Sequence, residues 1–550
     1  LESLSGQSPG EGAVVRNNII SNISTLERLV ARDRPGTGVA LRPNFNGTDS
    51  AAEVADNNFS QVDIGVTHPA GDAVEIDDSN RATVIVEDPN APDGIDRQRA
   101  VFTPTIQNAV TAADPGDTIE VGSGTFEESV SINVRNLTLE GPNGGIAGTA
   151  DNRGPEAEIT NGVEITASNV TFDGFEVTND DTNGIKLSEA PSNVVVTNNI
   201  VTEVDGGTAG SKGVGNGVNL QFNGVSNQTS TGIEITDNLI TGITTPDVSG
   251  ASADAIGVQL LPRGNDVESL RIANNTIENI NPGEAATRSE ARAVSIATQF
   301  TDTPGGTRGN LGQATGLAIE NNNISNLTAD FARAIALFED EAGDTTTDDA
   351  LGPLNFTVTE NTVTGVDSTD ETRFVDLAVF VGEYPEFGAD HTVQNNNFLA
   401  GVVNFGAESA ELSAENNWWG NSSGPAGDGP GAGPGFVNGS IDFDPFLNAP
   451  VGENQQSVTG PVNNTDTGET FRTIQAAVDN ASDGDTLRIS PGTFGDGESI
   501  TIDKANLTLE GPNAGTPGGS DDRSAEATIT GTVQITNASG VTIDGVRIAE

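Results

Sequence analysis

The chain has 550 residues and a net charge of −56, from 80 acidic residues against 24 basic ones, of which only Lys186, Lys212 and Lys504 are lysines. That charge repels a phosphate backbone and argues against a nucleic-acid partner; it also repels polyanionic polysaccharides unless cations bridge them. The absence of Cys excludes disulfides and thiolate metal sites, and no apolar run approaches the ~20 residues of a membrane-spanning helix.

Apolar residues make up 34% of the chain and there are 67 glycines, a balance that suits short strands joined by turns. The acids are spread through strand-patterned sequence rather than gathered in a tail. In ~1 M salt the Debye length is roughly 3 Å, so self-repulsion is largely screened. Abundant carboxylates with almost no Lys resemble proteins of extreme halophiles. There is also no Met, even at position 1. The expectation is a processed product or an internal piece of an exported protein, located outside the cell or on its surface.

In chain order, residues 1–95 read as the end of a coiled β-structure. Residues 10–24 (GEGAVVRNNIISNIS) carry an Asn-Asn-x-Ile phrase, and Asn57-Asn58-Phe59 resembles Asn396-Asn397-Phe398. Residues 105–145 then open a new unit. A short amphipathic helix (Ile106, Ala109, Val110) is followed by an Asp-Pro-Gly-Asp turn and by strand pulses at Ile119-Glu120-Val121, Val130-Ser131-Ile132 and Leu137-Thr138-Leu139. From residue 159 one phrase recurs: a strand, one or two Asn, a second strand. It stands at 194–200, 233–240, 270–277, 317–324, 356–363 and 391–398. A further strand lies between instances, as in Val218-Asn219-Leu220 or Val294-Ser295-Ile296, and loops of varying length follow it.

Repetition of one strand phrase predicts an all-β, right-handed parallel β-helix solenoid, one complete helix plus two partial helices at the termini. A single coil cannot bury its own apolar row, so neighbours must stack. Asn suits the corner because it tolerates left-handed backbone and its amide can bond to the equivalent Asn one coil away. Trp418 and Trp419 stand where the rod ends and are expected to cover its last coil, with sugar stacking as the alternative.

The expected domains are 1–95, the last coils of a preceding or partner β-helix; 96–450, the complete helix with a helical cap and a Trp/Gly-Pro end; 451–470, a polar linker; and 471–550, the first coils of a next helix. The last assignment rests on a repeat, since residues 473–515 restate 105–145. Val541-Thr542-Ile543-Asp544-Gly545 likewise restates Val170-Thr171-Phe172-Asp173-Gly174. Counting on from Gly545 through Glu550 and Leu1 reaches Asn17-Asn18-Ile19 within about two residues of the spacing from Gly174 to Asn198-Asn199-Ile200. The expected partner is therefore the chain itself, head to tail or as a tandem array.

Several motifs together carry a resemblance. They are Thr105-Ile106-Gln107 with Gly116-Asp117-Thr118-Ile119 and Gly124-Thr125-Phe126, the Asn-Asn-x-Ile coils, Asn417-Trp418-Trp419-Gly420 with Gly424-Pro425, and Ile441-Asp442-Phe443-Asp444-Pro445-Phe446. The chain resembles the pectate-lyase-like superfamily, and within it the carbohydrate-binding and sugar-hydrolase β-helix repeat proteins common on archaeal surfaces. The resemblance implies the fold over nearly the whole length. It implies little about activity, since that fold hosts lyases, hydrolases, esterases, tailspikes and inert surface proteins.

No catalytic constellation emerges from the sequence. His68 and His391 are read as surface residues, and Asp180-Asp181 as a turn. The expectation is a non-enzymatic structural protein forming a cell-surface fibre, matrix or adhesive appendage; the alternative is a polysaccharide-binding or polysaccharide-degrading β-helix, with surface glycans as partners. The candidate Ca²⁺ ligands are Glu339, Asp340, Glu341, Asp344, Asp348 and Asp349, crowded in one loop, because Ca²⁺ takes six to eight oxygens. The candidate glycosylation sites are the sequon asparagines Asn22, Asn136, Asn227, Asn326, Asn355, Asn421 and Asn506.

Overall fold

The computed structural model describes residues 105–549, apart from 210–211, 223–226, 248–251, 284–287, 299, 303–307, 340–353, 371–375, 383–390, 406–410, 495–499 and a few single positions. Upstream of 105 it describes only the strands between 13 and 103. The chain is an all-β parallel β-helix. It divides into two compact units, residues 1–276 with 282–286 and 301–312, and residues 277–281 with 287–300 and 313–550.

In the first unit three parallel sheets carry the coils. Before the Asn corner, Leu137–Glu140, Val170–Asp173, Val194–Thr197, Thr229–Thr236 and Asp266–Ala273 pair in turn. After it come Gly124–Phe126, Ala157–Ile159, Glu176–Asn179, Ile200–Val204 and Leu239–Ile243. The third sheet holds Val130–Ile132, Val163–Ile165, Asn183–Leu187, Lys212–Gln221 and Ser252–Leu261. Because strands pair in register, like stacks on like: Leu139, Phe172, Val196, Ile235 and Ile272 form one fully buried column. Each such side chain contributes about 1.5–3 kcal/mol by leaving water. The second unit repeats the scheme, for example Ala314–Glu320, Leu354–Thr359 and Thr392–Gln394 on its first face.

The corner asparagines divide two tasks that the sequence reading gave to one residue. The first position of the pair takes the left-handed backbone: Asn198, Asp237, Asn274, Asn321, Glu360, Asn395 and Asn416 all have φ between 51° and 59°. The second is buried and forms a ladder. In the first unit the backbone N–H and Nδ2 of Asn199 both donate to Oδ1 of Asn238 (2.9 and 3.1 Å), and Asn238 repeats this on Asn275 (3.0 and 3.0 Å). In the second, Asn322 donates in the same way to Asn361, Asn361 to Asn396 and Asn396 to Asn417. Each remaining amide proton reaches a strand carbonyl, as Asn361 reaches Ile319 at 2.8 Å. Backbone groups that a tight corner would strand are thereby satisfied.

The opening motif also has a structural reason. Thr105 caps helix α1 (Ile106–Ala112), accepting from the N–H of Asn108, and Ile106 enters the core. Gln107 pairs like a piece of strand: its Oε1 accepts from Ser131 N (2.7 Å) and its Nε2 donates to Ser131 O (3.4 Å). In the repeat, Thr473 caps α2 (Ile474–Asn480) and Gln475 makes the same pair of bonds with Thr501. Antiparallel strands line the sheet edge in both places. Val84–Glu87 pairs with Thr118–Val121, and Val462–Asn464 with Thr486–Ile489. Val462 lies inside the stretch expected as a linker, yet it is fully buried against the second copy's core.

At the expected rod end Trp419 is fully buried against Phe398, with ring centroids 5.6 Å apart, while Trp418 is half-buried. Two further expectations meet an outcome here. His391 is not a surface residue: it is buried beside Phe356, and its Nε2 lies 3.1 Å from Glu411 O and 3.2 Å from Ser413 N. Asp180-Asp181 does form a turn, in which Asp181 N donates to Asn179 Oδ1.

Candidate functional site

Among the described residues, one cluster gathers three arginines round a single carboxylate in a strongly acidic chain. Strand Arg288–Thr298 carries Arg288, Glu290 and Arg292 at alternate positions, separated by small residues. Alternation with period two sends these three side chains the same way. The neighbouring strand, Phe331–Glu339, is paired so that Arg292 lies beside Arg333 and Glu290 beside Phe331. Register therefore brings three guanidinium groups around one carboxylate. Arg288 and Arg292 each form an ion pair with Glu290, and Arg333 Nη1 lies 3.7 Å from its Oε2.

Phenylalanines floor the cluster. Arg333 sits over the Phe380 ring at 4.2 Å, Arg292 over Phe338 at 5.3 Å and Arg288 over Phe331 at 5.7 Å. Phe338 and Phe380 meet edge to face at 6.4 Å, and Phe405 continues the row at 6.0 Å from Phe380. Glu290 is buried, with 1% of its side chain exposed, whereas Arg288 is 48% exposed and the four rings are half-buried. A buried carboxylate is tolerated only when paired, and Arg292 and its neighbours supply the pairing. Cation–π contacts place the guanidinium groups over a hydrophobic floor. Such a surface can take planar carboxylates bidentately on Arg and the apolar faces of sugar rings on Phe.

The sequence reading missed these residues. Its signal was present in Arg288-Ser289-Glu290-Ala291-Arg292, but Arg333 joins only through strand register.

The sequence-predicted sites fall elsewhere. Glu339 closes its strand, and Asp340, Glu341, Asp344, Asp348 and Asp349 lie outside the described residues. Among the described residues no group of three or more metal-ligating side chains converges. Of the sequon asparagines, Asn22 lies in strand Ile19–Ile23, its side chain outside the described residues. Asn136, Asn227, Asn326, Asn355 and Asn506 all have positive φ, so corner geometry explains an Asn at each. Asn421 accepts from Ser423 N and Oγ within its own sequon.

One acidic stack has a pH consequence. Glu158 and Glu176 are register neighbours on parallel strands. Burial, and then repulsion from Glu158, Glu156 and Glu203, hold the Glu176 carboxyl above the ordinary range. The folded chain thus keeps this proton where the unfolded chain has lost it. Its stability contribution is full below the ordinary Glu value and is lost as pH rises through the raised one. Glu176→Gln is expected to raise the melting temperature at neutral pH by on the order of 1 °C and to flatten the dependence near pH 5. An unchanged pH profile in thermal melts would count against the raised value.

No family model matches the chain, and no curated protein matches it. Among solved structures it is similar to a PL6 family alginate lyase, AlyGC, at 11% identity and a TM-score of 0.26, covering 99% of this chain and 70% of that one. A mutant of the same enzyme matches at 13% identity and a TM-score of 0.15, covering 81% and 71%. The ORF18 protein of Geobacillus virus E2 matches at 11% and 0.20, covering 67% and 65%.

Proposed function

We propose that the chain is an extracellular β-helix protein that binds a carboxylated polysaccharide on the face formed by Arg288–Thr298, Phe331–Glu339 and Leu377–Val381. One observation carries this reading: among the described residues, Arg288, Arg292 and Arg333 gather round a single carboxylate above a row of Phe rings, in a chain of net charge −56. The site offers three guanidinium groups in a chain whose net charge of −56 otherwise repels such a polymer. In molar salt long-range attraction is screened, so contact ion pairs and ring stacking are left to hold the ligand. The reading is of binding; no bond cleavage is assigned to these residues.

The test is affinity electrophoresis in molar KCl, with polygalacturonate against an uncharged glucan. Retardation by the carboxylated polymer alone is expected, with Arg288→Ala weakening it by about tenfold, or ~1.4 kcal/mol, at unchanged melting temperature. Equal retardation by both polymers, or none by either, would remove the proposal.

A further inference from the structure

The third sheet of the first unit bends where its strands carry glycine. Val218 and Leu220 of strand Lys212–Gln221 are fully buried in the core. Gly217 faces the core as well, since a Cβ there would stand 2.7 Å from Ile240 Cγ2. Two successive inward residues break the alternation of the strand, so Asn216 and Asn219, on either side of the break, both point away from the core. A Cβ on Gly184 would likewise stand 2.7 Å from Val201 Cγ1, and Asn183 points outward beside Asn216, its register neighbour.

The outward side is nonetheless closed: Asn216 is 1% exposed and Asn219 3%. Their Nδ2 atoms both donate to Asn183 Oδ1, at 3.1 and 2.6 Å, so the bend brings the two carboxamides together. Nδ2 of Asn216 also reaches the carbonyl of Thr182 at 3.4 Å. A carbonyl can only accept, which fixes which way that carboxamide faces. The Oδ1 atoms of Asn216 and Asn219 are then buried with no hydrogen-bond partner in the protein, and so is Oδ1 of Asp254. Asp254 lies beside Val214 on the neighbouring strand Ser252–Leu261, two residues before the partner of Asn216 and on the same outward face. The nearby ammonium is engaged elsewhere: Lys186, beside Asn219 in register, donates to Glu164 at 2.8 Å.

We infer that these three oxygens bind one dehydrated alkali-metal cation, K⁺ or Na⁺, which ties Lys212–Gln221 to Ser252–Leu261. Ligands that are all oxygen suit a hard cation. A single carboxylate balances a single positive charge, whereas a divalent ion would leave an uncompensated charge in a buried place. One water has two protons for three acceptors and brings no charge to the carboxylate. No three carboxylate or imidazole groups converge among the described residues; here two of the oxygens come from carboxamides. The site is independent of polysaccharide binding.

Crystals of the full chain grown in KCl and soaked in RbCl test the site directly. An anomalous peak bonded to the Oδ1 atoms of Asn216, Asn219 and Asp254 is expected. Water density there without an anomalous signal would overturn the inference. In solution, molar KCl and tetramethylammonium chloride at equal ionic strength screen charge alike. A higher melting temperature in KCl is therefore expected from the bound ion. Asp254→Asn keeps the shape and removes the charge, and should raise the KCl concentration that gives half of that gain by about tenfold. Equal melting temperatures of the parent in the two salts, or an unchanged KCl dependence in Asp254→Asn, would also overturn it.

Discussion

Asn396→Leu is expected to lower the denaturation midpoint sharply, while Asn395→Gly next to it leaves the midpoint nearly unchanged. Asn396 is fully buried and is joined on both sides. Its N–H and Nδ2 donate to Asn417 Oδ1 (2.9 and 2.9 Å), and its own Oδ1 accepts from the N–H and Nδ2 of Asn361 (2.9 and 3.0 Å). Nδ2 also reaches the carbonyl of Val358 at 2.9 Å. Leucine fits the volume but leaves the donors of Asn361 and the carbonyl of Val358 without partners. At about 1–3 kcal/mol per stranded group the loss is about 3–5 kcal/mol. Asn395 has φ 56°. It meets a backbone requirement that glycine meets as well, so its replacement should cost under about 0.5 kcal/mol. Denaturant titration followed by far-UV circular dichroism, at constant molar KCl, compares the two. Equal shifts would mean that the ladder carries no more than its neighbours.

Removing the inner arginine of the cluster should also destabilise the fold, for a different reason. Glu290 is 1% exposed, and Arg292, itself 8% exposed, is its most deeply buried partner. Arg292→Met removes the most buried of three partners and leaves the carboxylate with Arg288 and Arg333 alone, a loss of about 1–3 kcal/mol. The double variant Glu290→Gln/Arg292→Met removes the underpaired charge and should recover most of that loss. Its polysaccharide binding should nonetheless stay weak, because a guanidinium has been removed from the face. If the single variant matches the parent in stability, Glu290 does not depend on Arg292. If the double variant binds like the parent, the cluster is not the binding face.

These two expectations mark how much the sequence disclosed. The parallel coils were legible because each coil restates the same short phrase, and an apolar residue at every second position has one buried side to face. The Asn corners were legible as corners. Which Asn of each pair turned the chain and which carried the ladder was not, because side-chain direction at a corner is set by the backbone angles of its neighbour. Glu360 shows the point: it occupies the left-handed position with φ 59°, so the turn tolerates a residue other than Asn while the buried amide of Asn361 makes the ladder bonds. His391 was misread for a related reason. A lone His at a strand start carries no local sign of the Phe356 ring and the backbone groups that enclose it.

By itself the sequence determined the coil, its repeat, its acidic exterior and the return of the opening motif at residue 473, since each depends on residues close together in the chain. The tertiary structure alone decided the Arg–Glu–Phe face. Arg292 and Arg333 are distant in sequence and become neighbours only when two long strands settle into one register. Burial and charge pairing are properties of stacked neighbours, and the variable loops between coils hide from the sequence which residues those neighbours are.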